Sequence, residues 1–118
     1  MSALVAPVGI PDSHRDLLTR PICGVLTTLQ PDGQPHSALV WLDAEGDTIR
    51  VSTTLDRQSG RNLMRDSRAS VLVVDPDDTS RFIQLRGDVE LVRAGAARET
   101  RVIAVLRPIR VSVDAIHR

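Results

Sequence analysis

The chain has 118 residues, with 15 arginines and no lysine against 15 acidic residues, so its formal net charge is zero. At this length we expect a single domain over residues 1–118, with residues 1–10 as an extended N-terminal segment. A neutral chain without a basic tract is a poor nucleic-acid or anionic-lipid binder, and no apolar run reaches the ~20 residues of a membrane span. The N-terminus lacks the basic region of a signal peptide. Cys23, the single cysteine, excludes an internal disulfide and indicates a reducing cytoplasm.

The first predicted elements are a short helix and a β-meander. The helix begins at Asp12 or Ser13, either of which suits an N-cap, and ends at Pro21. The turn residues 30–33, Gln-Pro-Asp-Gly, combine a proline that presets φ with a glycine that tolerates positive φ. Three strands are predicted around this turn and the next one: 22–29, 35–42 and 48–54.

The second half of the chain opens with a predicted helix over 57–66, whose apolar contacts are Leu63 and Met64. A short connection over 93–100 precedes the last strand, which is interrupted at Pro108. Three strands are predicted here, the middle one with the clearest alternation in the chain: 69–74, 83–91 and 101–113. Six strands, mostly antiparallel, with short helices predict a mainly β (α+β) fold, a small barrel with helices at its edges.

Most chemistry-bearing motifs are missing from the sequence. His14, His36 and His117 are far apart and have no metal-ligand spacing, so surface or partly buried histidines are expected. Cys23 lies in an apolar run, where a cysteine usually acts as a small hydrophobic side chain. There is no phosphate-binding P-loop, no glycine-rich dinucleotide motif and no nucleophile elbow.

One segment, residues 50–63, has the composition of a phosphate site. It joins a strand that ends in hydroxyl residues to the start of a helix, where unpaired N–H groups attract anions. Candidate donors are three hydroxyls and either of two guanidinium groups: Ser52, Thr53, Ser59, Arg57 and Arg61. The alternative is a capped surface helix whose arginines are solvated or paired with Asp56 and Asp66.

The order of motifs along the chain resembles a known superfamily. The stretch Val25-Leu-Thr-Thr-Leu-Gln-Pro-Asp-Gly-Gln-Pro-His-Ser37 is followed by Val40-Trp41, then by the Ser-Thr-Thr and Arg-Asn-Leu segment, and then by Arg86-Gly87. This order resembles the pyridoxamine 5′-phosphate oxidase-like flavoproteins, and within them the branch that uses coenzyme F420, a deazaflavin. The resemblance implies an FMN-binding split barrel-like fold, a six-stranded antiparallel split β-barrel with flanking short helices.

The resemblance also implies a homodimer, in which the cofactor lies in a groove between two barrels. The residues that it assigns to the cofactor phosphate are Ser52, Thr53, Arg57, Ser59 and Asn62. Those that it assigns to the tricyclic ring are His36, Ser37, Val40 and Trp41. No catalytic acid or base is required, because in such enzymes the cofactor carries the chemistry.

Two departures from the family pattern are visible. Ser59 stands where many relatives carry a phosphate-anchoring lysine, so Arg57 or Arg61 would have to replace that charge, and the connection over 93–100 is shorter than usual.

The leading hypothesis is a reductase that transfers hydride between F420 and a small organic substrate. The alternatives are an FMN-dependent oxidoreductase and a non-catalytic flavin- or deazaflavin-binding dimer. The tail Val113–Arg118 lacks the Trp and Arg that pyridoxamine-phosphate oxidation would require.

Overall fold

The computed structural model describes residues 8–94 and 100–114. Most of the expected N-terminal segment 1–10, the middle of the connection 93–100, and the tail with His117 therefore lie outside the described residues. The described chain forms a 3₁₀ helix (Asp12–Leu18), an α-helix and seven strands: α1 (Gln58–Arg65), β1 (Gly24–Leu29), β2 (Pro35–Val40), β3 (Leu42–Glu45), β4 (Thr48–Thr54), β5 (Arg68–Val74), β6 (Phe82–Arg93) and β7 (Arg101–Val113).

The strands form one antiparallel sheet in the order β2-β1-β5-β6-β7-β4-β3. Its two edge strands, β2 and β3, are consecutive in the chain and are separated only by Trp41. The sheet therefore curls until its edges meet at that residue, and a Cβ atom on Gly24 of β1 would collide with the side chain of Leu42 on β3. The strand expected over 35–42 is thus two strands, which makes seven where six were predicted.

Alternate residues of the strands face the inside of the curl and form an aliphatic core. The alternation predicted for β6 is confirmed, since Ile83, Leu85 and Val89 are buried. Leu17 and Leu18 of the 3₁₀ helix are fully buried and close one side of the core. Helix α1 packs on β1 and β4 and buries Leu63, whereas Met64 is 64% exposed. The expected apolar role of Met64 is therefore wrong, because a 100° step per residue turns it to the outside.

The interruption expected at Pro108 is a bulge within one continuous strand. Gly87 of β6 pairs with Pro108 of β7, and Arg86 pairs with Arg110, so Ile109 is the extra residue. A Cβ atom on Gly87 would collide with the backbone of Arg107, so only glycine allows this close approach.

Cys23 and His14 differ from each other in burial in a way that the sequence did not reveal. Cys23 is exposed, so its expected role as a small hydrophobic side chain is wrong; it precedes β1, whose inward-facing set begins with Gly24. His14 is buried, and its Nε2 lies 2.9 Å from Asp114 Oδ1 while its Nδ1 lies 2.8 Å from Ser13 Oγ.

Among the described residues, no group of three or more metal-ligating side chains forms and no helix is long and apolar enough to cross a membrane.

Candidate functional site

A groove opens on the outer surface where the end of β2, the end of β4 and the start of α1 meet. Its volume is about 310 Å³. Six of the ten predicted site residues line it, together with four others: Val40, Trp41, Ser52, Thr53, Arg57 and Ser59, with Ala38, Leu39, Thr54 and Arg101. The fold therefore joins the segment assigned to a phosphate with the segment assigned to a ring.

The start of α1 provides hydrogen-bond donors to one end of the groove. Arg57 precedes the helix in an extended conformation, and no side chain caps this end. N–H groups of a first helical turn have no acceptor within the helix, so they remain available to an anion. Gly60 lets the helix start lie directly against β4, because a Cβ atom there would collide with the carbonyl oxygen of Thr54.

Asn62 holds this helix in place from below. It is fully buried, and its Nδ2 donates to Thr28 Oγ1 on β1 at 3.0 Å. Its Oδ1 accepts from Gln58 Nε2 at 2.8 Å. Both ends of the amide are therefore satisfied by protein groups, and Asn62 is not among the residues that line the groove. Asn62 therefore positions α1 on β1, whereas the resemblance implied that it contacts the phosphate directly.

The two candidate arginines have different surroundings. Arg61 donates to the backbone oxygen of Asp56 and, at 2.8 Å, to Gln58 Oε1, which directs it away from the groove. Within residues 8–94 and 100–114, Arg57 is exposed and has no ion pair or hydrogen bond from its side chain. Arg57 is therefore solvated, as the alternative of a surface helix with solvated or paired arginines also allowed, and it does not pair with Asp66, which is engaged by Arg68 at 2.8 Å.

Asp56 is the acidic residue nearest in sequence to this helix start, and it does not line the groove. Its carboxylate accepts hydrogen bonds from the Thr54 hydroxyl and from its own backbone N–H, and these contacts lower its pKa below the ordinary value. The positive charges of Arg57 and Arg61 also lower this pKa, so the Asp56 carboxylate is ionised and offsets part of the positive charge at the helix start.

The other end of the groove is apolar. Trp41, at the junction of β2 and β3, is 66% exposed and stands beside Val40. Ser52 presents an exposed hydroxyl, whereas Thr53 belongs to the inward-facing set of β4 and is only 8% exposed. Of these two neighbouring hydroxyls, Ser52 is therefore the accessible donor.

His36 and Ser37, both predicted to contact the ring, lie further along β2 and do not line the groove. Ser37 Oγ lies 3.0 Å from Thr27 Oγ1 on the outer face. His36 faces inward opposite Thr28, and its Nδ1 is shielded from solvent without a hydrogen-bond partner among the described residues.

Arg101 and Thr54 are groove residues that sequence reasoning missed. They are direct partners across β4 and β7, and this pairing brings Arg101 to the groove although it is distant in sequence. No pattern among neighbouring residues in the sequence predicts a pairing between two strands this far apart. A second hollow of about 420 Å³ shares Trp41 and Ser52 with the groove and continues it past β3, where Leu42, Arg50 and Ile103 contribute to its lining.

The sequence matches a family model, described as pyridoxamine 5′-phosphate oxidase, over residues 10–107. The chain belongs to this family. The match spans the whole curled sheet except the end of β7, and it includes every residue of the groove.

Several solved structures share the fold. An F420 reductase is 30% identical, with 87% of this chain and 98% of that chain covered and a TM-score of 0.77. A conserved hypothetical protein from Mycobacterium tuberculosis is 22% identical over 96% of this chain and 89% of that one, with a TM-score of 0.75. A heme binding protein from Mycobacterium smegmatis is 23% identical over 90% of this chain and 55% of that one, with a TM-score of 0.72. The expected FMN-binding split barrel-like fold of this family member is confirmed.

Proposed function

We propose that this protein is a reductase in which coenzyme F420, a deazaflavin, exchanges hydride with a small organic substrate at a homodimer interface. The observation that carries the proposal is the groove, which joins an apolar wall at Trp41 to an uncapped, cationic helix start at Arg57. A tricyclic cofactor with a phosphate needs these two surroundings side by side. The 30% identity to an F420 reductase supports the choice of a deazaflavin.

The phosphate end of the groove fits a charged oxyanion without a lysine. Ser59 is only 6% exposed and is too short to carry the charge that a lysine would bring to this position. Arg57, two residues earlier, lines the same groove and is not paired with any acid of the described chain. We therefore assign the anionic contact to the Arg57 guanidinium, with the exposed hydroxyl of Ser52 as a neutral donor.

The ring end of the groove supplies orientation and shelter from water. When bound, the cofactor supplies the hydride chemistry, and the chain contributes the apolar surface of Trp41 and Val40 against the ring. The second hollow, on the other side of Trp41, is the place we assign to the substrate. Its two charged lining residues, Arg50 and Asp43, form an ion pair with Nε and Oδ1 2.9 Å apart. A hollow without net charge favours an uncharged substrate.

The outer face of the sheet supports the proposal of a homodimer. Leu39, Val25 and Leu72 are direct partners on the neighbouring strands β2, β1 and β5, and they form an outward-facing apolar row. Leu39 is 77% exposed. A sheet face in contact with water normally carries polar residues, so this row fits a surface that a second copy covers.

The test is a titration of the purified protein with oxidised F420, FMN and hemin in parallel. The chain has one tryptophan and no tyrosine, so its intrinsic emission reports on Trp41 alone. We expect saturable quenching by F420, weaker quenching by FMN and none by hemin. Trp41→Phe is the matched control for the protein signal, with cofactor fluorescence as the second readout.

Each other outcome has a defined meaning. Preference for FMN would replace the deazaflavin with the flavin alternative, and preference for hemin would overturn both. If F420 binds but its reduced form is never oxidised by any of a panel of uncharged, conjugated acceptors, the protein is a non-catalytic binder. Indifference to all three ligands would remove the groove as a cofactor site.

A further inference from the structure

A separate hollow lies on the outer face of β1, β5 and β6 and shares no lining residue with the groove. Its volume is about 380 Å³. Leu29 and Ile109 give it apolar walls, and its polar side is lined by Thr27, Arg68, Ser70 and Arg86. Of the two arginines, Arg68 is already held by Asp66 at 2.8 Å, which leaves Arg86 as the unpaired one within the described part of the chain. The proposed cofactor site does not use any of these residues.

The sheet register places four polar side chains in one row beside this hollow. Thr27 pairs with Ser70, Ser70 pairs with Arg86, and Arg86 pairs with Arg110 across four neighbouring strands. Each of the four has a sequence neighbour that belongs to the core or packs against it, namely Leu26, Val71, Leu85 and Val111, so all four side chains share the outer face. Two hydroxyls and two guanidinium groups therefore follow one another across the sheet.

Arg86 and Arg110 form a like-charge pair directly opposite each other, an arrangement that destabilises a sheet. Within residues 8–94 and 100–114, both are exposed and have no ion pair or side-chain hydrogen bond. By contrast, Arg50, Arg68 and Arg81 are all held by carboxylates. An anion between Arg86 and Arg110 would turn their repulsion into two charge-assisted contacts.

The bulge in β7 shapes the wall of the hollow. Ile109 is the extra residue opposite Arg86, and it is 61% exposed although it is a large apolar side chain. A bulge turns neighbouring side chains to one face, which places Ile109 next to Arg110. Gly87 is required for the bulge because a Cβ atom there would collide with the Arg107 carbonyl oxygen.

The acidic residue that follows on the same face of β6 is Asp88. It lies opposite Arg68 and Arg107 in the register, and its Oδ1 accepts from Ser67 Oγ at 3.2 Å. Asp88 lies two residues along β6 from Arg86 and forms no ion pair with Arg86 or Arg110 among the described residues, so both arginines remain available to an anion from outside the chain.

We propose that this hollow binds a small organic oxyanion, a carboxylate or phosphate monoester attached to an apolar group. Its oxygens would lie at Arg86, which lines the hollow and faces Arg110 on β7, and would accept from the Ser70 hydroxyl. Its apolar part would pack between Leu29 and Ile109. Within one chain, the hollow and the proposed cofactor groove share no lining residue. Thr27 and Ser70 are the next outward residues after Val25 and Leu72, so the hollow borders the row that the proposed second copy covers.

The test uses phenyl phosphate as the probe in calorimetric titration of the full chain. We expect saturable binding to the wild type, and a rise of Kd of at least about tenfold in Arg86→Gln and in Arg110→Gln, as expected for loss of a charge-assisted hydrogen bond. Arg107→Gln is the control for net charge, since Arg107 lies on the same strand as Arg110 but is paired in the register with Asp88 and not with Arg86. Phenyl phosphate also suits the proposed phosphate end of the groove, so each substitution is repeated in the Arg57→Gln background, where the binding that persists reports on the hollow. Arg107→Gln should bind as the wild type does.

A second readout does not depend on the ligand. Removing one member of the like-charge pair should leave the thermal midpoint of the free protein unchanged or raise it at low ionic strength, so both variants remain folded. The proposal is overturned if the wild type does not bind phenyl phosphate. It is also overturned if Arg107→Gln weakens binding as much as Arg86→Gln, or if only Arg57→Gln abolishes binding.

Discussion

Asn62 and Thr28 form a hydrogen bond between two fully buried side chains, Nδ2 to Oγ1 at 3.0 Å, and this bond joins α1 to β1. Replacement of Asn62 by leucine would leave the Thr28 hydroxyl buried without its partner. We expect the free energy of unfolding to fall by about 1–3 kcal/mol in urea denaturation. The double variant Asn62→Leu/Thr28→Val should recover part of that loss, because it removes both polar groups. Strictly additive losses would show that the bond contributes nothing.

Gly60 should not tolerate a side chain. Alanine at this position would push the start of α1 away from the Thr54 carbonyl oxygen, which lies inside the space that a Cβ atom needs. We expect Gly60→Ala to lower the free energy of unfolding by about 1–3 kcal/mol or more and to weaken cofactor binding. Gly9→Ala is the matched control, since a Cβ atom there meets nothing within 4 Å, and it should change stability by less than about 0.5 kcal/mol. Equal effects of the two substitutions would contradict the packing argument.

Arg57 is expected to carry the anionic contact in the groove. Arg57→Ala should weaken cofactor binding by about 1.5–3 kcal/mol, a tenfold or larger rise in Kd, because a charge-assisted hydrogen bond is lost. Arg61→Ala is the control, since the Arg61 side chain is already bound by Gln58 and by the backbone of Asp56. Fluorescence titration measures both. If Arg57→Ala binds as tightly as the wild type, the phosphate belongs to other residues.

Leu39 tests the proposed dimer. Leu39→Glu would place a charge in the apolar row that we expect a second copy to cover, and burial of an unpaired carboxylate is strongly unfavourable. The variant should elute as a monomer in size-exclusion chromatography with light scattering. Met64→Glu is the control, because Met64 is 64% exposed on α1 and lies outside the row. A monomeric wild type, or a dimer unaffected by Leu39→Glu, would contradict the assignment.

Arg81 fastens the 3₁₀ helix to the turn between β5 and β6, and it should make stability depend on pH. Its guanidinium binds Asp16 and also Asp75, the latter at 3.0 Å, and its hydrogen bond lowers the pKa of Asp16 from 3.8 to about 2. A carboxyl group with a lowered pKa in the folded state stabilises that state above its unfolded pKa. The contribution is lost as the pH falls from about 4 towards 2.

Urea unfolding across that pH range measures this dependence. Arg81→Gln should lower the urea midpoint at pH 7 and flatten the decline on acidification, because Asp16 loses its main partner. The carboxylate is partly exposed, so added salt should weaken the effect in the wild type. Arg107→Gln serves as the charge control. If the urea midpoint falls equally steeply on acidification in Arg81→Gln and in wild type, the Arg81–Asp16 ion pair is not the cause of that fall.

Local patterns in the sequence predicted most of the strands and their inward faces. The alternation in β6 and the turn residues 30–33 are short-range signals, and the structure bears them out. The break at Trp41 was not predictable. Trp41 links the two edge strands of the sheet, and the alternation of outward and inward side chains continues unchanged from β2 into β3. Met64 and Cys23 were assigned to the wrong environment for a similar reason: an apolar neighbourhood in sequence does not specify which face a side chain occupies.

The sequence by itself determined the family, the hydroxyl-rich end of β4 and the helix start that follows it, since these depend on residues adjacent in the chain. Only the tertiary structure decided which of those residues share a groove. The pairing of Thr54 with Arg101 and of Arg86 with Arg110 joins strands far apart in sequence, and the burial of Asn62 depends on β1 lying beneath α1. Such contacts result from closing the whole sheet into a curl, and no window of neighbouring residues contains that information.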